Sequence, residues 1–484
     1  MTSILQLLVA SYGQAIGNIR CDVHDSKFDF YYYVNWQLAN DAFPLSPYFA
    51  LSGEGITSRE TTNFIVNLLP EGDARMAACG YHKLSPANVY TLAHIFGHEP
   101  AGATSFQFHG NNSALPSAQE AFYKRVSDQE LTERIRVRDR VSLAQWDGTW
   151  YQCLAGVQDK LQVVLHDEEL YLVSGSLTST HILKPEPRHS RTPFLVANEH
   201  YCMSLAAAVG LPVAPVHIRR TPEPVLLIER FDRRWAPGAD VLQPGRVERR
   251  HIIDGCQALG LPGWLKYECT SGHHGPHSAR RHGVSFEKLF GLLPKFVDED
   301  AAKTFIVRWA LFNLLIGNAD AHGKNISFHQ TDAGITPALI YDLVSVRVYG
   351  EKVLPQMAMG FGSQFLGEEV VLHDLAAFAQ IAEISEGHLV RELRQMALTV
   401  KEWASALAVD AVYQGPEREL VLRIATYVTA QASRLLRVIS ADGETSTVRL
   451  GLAKETVDAS GDIDGANPKI EDMFYGESKK HLGE

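Results

Sequence analysis

Apolar and polar positions change their rhythm twice along this chain. In the first hundred residues, Phe28-Asp29-Phe30-Tyr31-Tyr32-Tyr33-Val34 is dense in aromatics and suits a strand. Phe64-Ile65-Val66-Asn67-Leu68-Leu69 is a short apolar run bounded by Pro70, and Ser85 to Phe96 reads as a Ser-capped helix stopped at Gly97. The polar stretch from Gly110 to Ser117 serves as a linker. From about 120 to 250, short strands surround one helix. Leu161 to Leu165 and Leu170 to Val173 flank a polar turn, and His181-Ile182-Leu183-Lys184 follows. Phe194 to Val209 then has helical periodicity and stops at Gly210-Leu211-Pro212. Val225 to Ile228 supplies another strand. Beyond 250 the period is helical. Ala302 to Ile316 is an apolar-rich helix, and Glu417 to Ile439 puts Leu420, Val421, Ile424, Val428, Leu435, Leu436 and Ile439 largely on one face, with Pro416 near its start.

This succession predicts an α+β architecture. A small N-terminal domain (1–112) precedes a mixed α/β lobe (120–250), a mainly helical lobe (251–440), and a polar tail (441–484) with too few large apolar residues to fold, hence disordered. Strand, turn, strand, a lysine-bearing strand, one helix and a strand leading to a hinge resemble the small lobe of a kinase, so the two lobes are expected to be protein-kinase-like.

Composition narrows the setting. Hydrophobic residues at 45% and charged residues at 21% suffice for a sizeable core. No apolar run approaches the roughly 20 residues of a membrane span. Met1 to Ala10 lacks a basic start and is interrupted by Gln6, which makes a poor signal peptide. The six cysteines (Cys21, Cys79, Cys153, Cys202, Cys256, Cys269) include no C-x-x-C pair and read as reduced core residues of a cytoplasmic protein. Net charge is −11, and the tail, with ten acids against five bases, carries −5 of it. The body is therefore no basic nucleic-acid binder overall. Local contacts to phosphate would have to come from Arg219-Arg220, Arg246, Arg249-Arg250 and Arg280-Arg281.

The chemistry concentrates in Gly317-Asn318-Ala319-Asp320-Ala321-His322-Gly323-Lys324-Asn325-Ile326-Ser327 and Ile340-Tyr341-Asp342-Leu343-Val344-Ser345. Asp320 and Asn325 stand five residues apart, and Asp342 follows seventeen residues later. Phosphoryl transfer from ATP needs that inventory: one acid to orient the acceptor hydroxyl, an amide oxygen and a second acid to hold magnesium. Asn, Asp and Gly also favour plain turns. Asp342, however, follows the strand-like Ala338 to Tyr341, which would hold its carboxylate near the end of a buried hairpin. His322 follows the acid instead of preceding it, unlike the usual protein-kinase loop, and this order leaves a small-molecule or lipid kinase as an alternative. Lys184 is the candidate for reaching the α/β-phosphates, and Glu199 on the next helix can fix it. Backbone amides of Ala155-Gly156-Val157-Gln158-Asp159-Lys160 can approach phosphates, although no Walker A string occurs. Ile228-Glu229-Arg230-Phe231-Asp232-Arg233 follows a strand where the lobes should join, so backbone groups of Glu229 and Phe231 are placed for adenine. His273, His274, His277 and His282 match no zinc spacing and read as a loop near the acceptor site.

These residues resemble the HipA-type serine/threonine kinases, the toxin halves of bacterial HipBA modules. The resemblance runs over roughly 28–440 and rests on Pro44-Leu45-Ser46, Asn67-Leu68-Leu69-Pro70-Glu71-Gly72, Ala155 to Lys160, His181 to Lys184, Glu229 to Arg233, Cys256 to Pro262, Lys266-Tyr267-Glu268, Asp320 to Ser327 and Tyr341-Asp342. It implies Asp320 as the catalytic aspartate, Asn325 and Asp342 as Mg²⁺ ligands, and Lys184 as the ATP-phosphate lysine. Glu229 and Phe231 fall at the adenine hinge, and Gly156, Val157, Gln158 and Lys160 in the phosphate loop, with His322 and Lys324 in the catalytic motif. It further implies a serine in a protein substrate, an aminoacyl-tRNA synthetase being the type example, and a HipB-like helix-turn-helix antitoxin that carries the operator-DNA contact. A corepressor with little kinase activity is the alternative in that setting. One departure stands out. Family members often autophosphorylate a serine just before the phosphate loop, and this chain has Cys153 there, leaving another hydroxyl such as Ser142 for that role.

Overall fold

The computed structural model describes residues 4–11, 13–22, 27–108, 120–151, 154–156, 158–188, 191–269 and 281–440. Val157, Cys153, the histidines at 273, 274 and 277, Arg280 and the acidic tail lie outside them.

The aromatic run forms the strand Lys27–Tyr32, in which Phe28, Phe30 and Tyr32 point to the core while Lys27 and Tyr31 face out. It is the edge of a four-stranded antiparallel sheet, followed in order by Gln14–Asp22, Ile4–Ser11 and Thr104–Phe108. Residues 64–68 of the apolar run belong to the helix Ser58–Leu68 that covers this sheet, and Leu69 is already extended. A Thr57/Glu60 capping box starts that helix, a device worth about 1 kcal/mol. Ser85 does not begin the next helix as expected. Its hydroxyl accepts the Ala87 N–H in a turn around Pro86, and Asn88 caps the helix Val89–Phe96.

A second antiparallel sheet has six strands in the order Val216–Arg220, Pro224–Glu229, His181–Pro185, Leu161–His166, Glu169–Ser174 and Phe122–Val126. The helix Leu195–Ala208 packs against it, entered through Phe194 at a φ of 59°. The remainder is built on the helices Glu299–Ile316, Leu372–Ile381, Glu386–Ala408 and Pro416–Val438. On the last, Leu420, Val421, Ile424, Val428 and Leu435 are buried as the periodicity predicts, as is Ile439 just beyond it, whereas Leu436 is only half-buried. A three-stranded sheet of Ile252–Asp254, Ser327–Thr331 and Gly334–Pro337 lies beside them. Its hairpin separates Asn325 from Asp342.

Ala338 to Tyr341 is not a strand. Only Ile340 pairs, in parallel with Val213 of the other lobe, through N–H···O=C bonds to Pro212 (2.8 Å) and from Ala214 (2.9 Å). Its partner segment is too short to propagate a ladder, so the stretch works as a stitch between lobes. The architecture is α+β with a kinase-like two-lobed arrangement. Among the described residues no helix is long and apolar enough to cross a membrane, and Cys21, Cys79, Cys202, Cys256 and Cys269 are buried and unbridged.

Candidate active site

The pleat of His181–Pro185 turns Lys184 inward, where it is only 7% exposed. Its ammonium donates to Glu199 Oε1 (2.8 Å) and Oε2 (3.1 Å) and to Asp342 Oδ1 (2.6 Å). Burial works against the charged lysine, but the Asp342 and Glu199 carboxylates outweigh it and hold its pKa above the usual range. Asp342 itself sits at a φ of 58°, a left-handed conformation rare outside glycine and tolerated best by Asp and Asn. Tyr341 anchors that turn by donating to the Lys324 carbonyl (2.5 Å).

The helix Glu299–Ile316 stops at Gly317, whose φ of 64° and close approach to Tyr427 require glycine. The loop it releases is wired internally. Asn318 Oδ1 accepts the Asp320 N–H (3.1 Å), and Asn325 Nδ2 donates to the Asp320 carbonyl (2.9 Å). Tyr267 donates its hydroxyl to Asp320 Oδ1 (2.5 Å). Burial pushes the Asp320 carboxyl up to about 6, against the opposing effects of the Tyr267 bond and Lys266. Burial and the neighbouring Lys266 drive His322 down to about 3, so its ring is neutral; Nδ1 accepts the Lys324 N–H (3.3 Å).

Asn325 and Asp342 fit a magnesium ion by their donor chemistry. The bond to Asp320 uses the amide nitrogen of Asn325 and leaves its oxygen free to ligate, while Lys184 takes only one oxygen of Asp342. Two hard oxygen donors suffice for an ion that completes its shell with phosphate and water.

At the hinge, the Glu229 N–H donates to Pro215 O (2.9 Å), and the Arg230 N–H donates to Thr180 O (2.9 Å). Pro215 has no N–H to return, so the ladder leaves the Glu229 carbonyl unclaimed. Among the described residues the Phe231 N–H has no partner. Glu229, with an unclaimed carbonyl, and Phe231, with an unpartnered N–H, stand two residues apart and both line the pocket. Gly156 holds a φ of 108°, and any Cβ there would meet Lys160 Nζ at 2.5 Å. Lys160 donates to Ala155 O (2.7 Å), and burial next to Lys184 lowers its pKa to about 8.

A cavity of about 320 Å³ joins these pieces. Lys184, Glu199, Gly156, Gln158, Lys160, Glu229, Phe231, Asp320, His322, Lys324, Asn325 and Asp342 all line it, with Ile182, Ile228 and Val344 as apolar walls. The Lys324 ammonium is turned to the Asn67 carbonyl (2.8 Å), Glu71 (3.3 Å) and Asp254 (3.3 Å). Sequence reasoning assigned no role to Glu71, Lys266 or Tyr267. Their strings were visible, but Glu71 meets Lys266 across 195 residues and Lys324 across 253, and Tyr267 meets Asp320 across 53. The basic pairs considered for DNA are largely spent internally. Arg219 binds Asp128, Arg220 binds Glu417, Arg281 lies 3.3 Å from Glu268, and Arg249 donates to carbonyls of the 98–104 segment.

A strand lysine paired with a helix glutamate, opposite an Asp/Asn/Asp set across a hinged cleft, defines a protein-kinase-like phosphotransferase. Residues 153–407 match the HipA-like C-terminal domain, and residues 7–107 match the HipA N-terminal domain. The serine/threonine-protein kinase toxin HipA of Shewanella oneidensis is 36% identical over 423 residues, 87% of this chain and 94% of that protein. A Sinorhizobium fredii protein named as a kinase, Y4mE, is 34% identical over 385 residues (77% and 84%). The solved complex of Shewanella oneidensis HipA, HipB and operator DNA is similar with a TM-score of 0.79 at 34% identity, covering 91% of this chain and 100% of that one. The chain belongs to the HipA family, and its enzyme class is serine/threonine protein kinase.

Proposed function

We propose that this chain is an ATP- and Mg²⁺-dependent kinase that phosphorylates a serine of a protein substrate and acts as the growth-inhibiting toxin of a type II toxin–antitoxin module. One observation carries the reading: Lys184, Glu199, Asp320, Asn325 and Asp342, drawn from three separate stretches of chain, line a single cavity. Phe231 N–H and the Glu229 carbonyl take the adenine edge. Gly156, Gln158 and Lys160 cover the phosphates, and Lys184, held by Glu199, contacts the α/β-phosphates. Asp320 orients the incoming hydroxyl and accepts its proton as the oxygen attacks the γ-phosphorus in line and ADP departs. Magnesium held by Asn325 and Asp342 supplies neutralisation of charge on the phosphate oxygens. His322, neutral, packs edge-on to Tyr267 (5.1 Å) and shapes the loop.

The family supports a target in translation, such as an aminoacyl-tRNA synthetase, and a cytoplasmic site of action. The related complex of HipA, HipB and operator DNA supports a HipB-like antitoxin partner, and we read the main operator-DNA contact as the antitoxin's. The internal pairing of Arg219, Arg220 and Arg249 argues against a chain whose main task is to grip DNA. We further read 1–112, 120–250 and 251–440 as its three working units.

Transfer of labelled phosphate from ATP–Mg²⁺ in a host-cell extract tests the reading. A protein band labelled by wild type and not by Asp320→Ala supports it and isolates the substrate. Label confined to a small molecule or lipid would replace it with the alternative kinase class.

A further inference from the structure

Glu71 reaches the catalytic centre from the N-terminal region. It ends the extended link Leu69–Pro70–Glu71 between the helices Ser58–Leu68 and Gly72–His82. Its backbone N–H donates to Gly156 O (3.2 Å) beside a parallel bridge of Pro70 with Gly156, so the link lies along the phosphate loop. Its carboxylate receives Lys266 Nζ at 2.8 Å on Oε2 and stands 3.3 Å from Lys324 Nζ through Oε1. Burial opposes its ionisation, but Lys266 and Lys324 outweigh that and keep it a carboxylate.

The surrounding charges explain why this matters. Lys324 has a second counter-charge in Asp254 at 3.3 Å and donates to the Asn67 carbonyl. For Lys266, Glu71 is the one carboxylate within ion-pair distance among the described residues. The next residue, Tyr267, holds Asp320 Oδ1, and the field of Lys266 already acts on Asp320. A Lys266 ammonium released by Glu71 is drawn to the Asp320 carboxylate. It would occupy the oxygen that the acceptor hydroxyl requires, because a buried lysine does not stay unpaired.

We infer that Glu71 is a positioning residue for phosphoryl transfer: by holding Lys266 and Lys324 it keeps the Asp320 carboxylate open to the acceptor hydroxyl, so that the N-terminal region completes the active site. The inference rests on the kinase reading above. The contacts placed on the nucleotide by Lys184 and the hinge do not touch the Glu71 carboxylate, Lys160 of the phosphate loop feels it only as one of several distant charges, and Glu71→Gln retains the backbone N–H to Gly156. Loss of one negative charge also leaves the cleft more positive. The signature is therefore a fall in turnover with ATP affinity kept, since displacement of a reacting group by about 1 Å can cost on the order of 10²-fold.

The test compares full-length wild type, Asp320→Ala, Glu71→Gln, Glu71→Asp and the double variant Glu71→Gln/Lys266→Met. The readouts are label transfer from ATP–Mg²⁺ in host-cell extract, titration with a fluorescent ATP analogue, and melting. Glu71→Gln is expected to lose about 10- to 100-fold in transfer rate, to bind the analogue within twofold of wild type, and to regain rate in the double variant. Glu71→Asp is expected to recover part of the rate. Wild-type transfer by Glu71→Gln, with Asp320→Ala inactive, overturns the inference and leaves the kinase reading standing. So does a parallel loss of rate, analogue binding and melting temperature that Lys266→Met does not relieve, which would mark Glu71 as a structural tie. Absence of transfer by wild type overturns the kinase reading itself, and this inference with it.

Discussion

Lys184 Nζ lies 2.6 Å from Asp342 Oδ1 although 158 residues separate them in the chain. The bond runs from the small-lobe sheet to the turn after the catalytic hairpin, and Glu199 closes it from the helix at 2.8 Å. A single ammonium thereby sets the distance between a residue proposed for the phosphates and one proposed for the metal. Both carboxylates depend on it for their charge balance.

Lys184→Met removes that ammonium and leaves the buried Glu199 carboxylate facing the partly exposed carboxylate of Asp342. Breaking a buried pair this way costs about 3–5 kcal/mol, so the melting temperature and the affinity for ATP should fall together. Calorimetry and nucleotide titration on the same preparation check this. ATP affinity equal to wild type would remove Lys184 from the phosphate-binding role.

Asp320→Ala is expected to reduce phosphate transfer by on the order of 10³-fold while ATP binding persists, because in the proposed mechanism the carboxylate acts on the acceptor and not on the nucleotide. Single-turnover transfer measured beside ATP titration separates the two effects. An active Asp320→Ala protein would reassign the proposed catalytic base.

Gly317→Ala places a Cβ against the Tyr427 ring, 2.5 Å from its hydroxyl, at a φ of 64°. The left-handed conformation alone costs roughly 1–2 kcal/mol, and the ring must shift as well. The variant should melt lower and lose transfer, since Gly317 stands three residues before Asp320. Unchanged urea unfolding would show that the turn relaxes freely.

His251 links the two sheets' surroundings. Its ring stacks on Phe43 at 4.9 Å, and its Nε2–H donates to the Leu45 carbonyl (2.9 Å) while Nδ1 is buried without a partner. Burial lowers its pKa from 6.5 to about 4. A depressed histidine contributes stability that is complete above 6.5 and is lost as pH falls towards 4, which amounts to about 2 kcal/mol by pH 5. Urea midpoints at pH 7.5 and pH 5 should therefore fall less for His251→Gln than for wild type. Equal slopes would place the acid sensitivity elsewhere, in His181, His200 or His329, which burial holds near 4 as well.

Much of the frame is legible locally. The Lys184 strand, the helix after it, the helix up to Ile316 and the face of Leu420, Val421, Ile424 and Val428 follow from period and stop signals within a few residues. Misreadings came where a local signal competed with another or with a distant partner. Ser85 lost the cap to Asn88 because Pro86 drew it into a turn. Ala338 to Tyr341 looked like a strand, yet only Ile340 found a partner, across the cleft at Val213.

The sequence by itself determined which chemistry is present: one acid, an amide and a second acid at spacings set by a loop and a hairpin, and a lysine at the end of a strand. Those are properties of nearest neighbours and of side-chain type. Only the tertiary structure decided which charge faces which. Glu71 meets Lys266 and Lys324, and Glu99 meets Arg230, because packing closes loops of 195, 253 and 131 residues. A buried ion pair carries no local signature in composition or period. It exists only once both partners have lost their water and have nothing else to turn to.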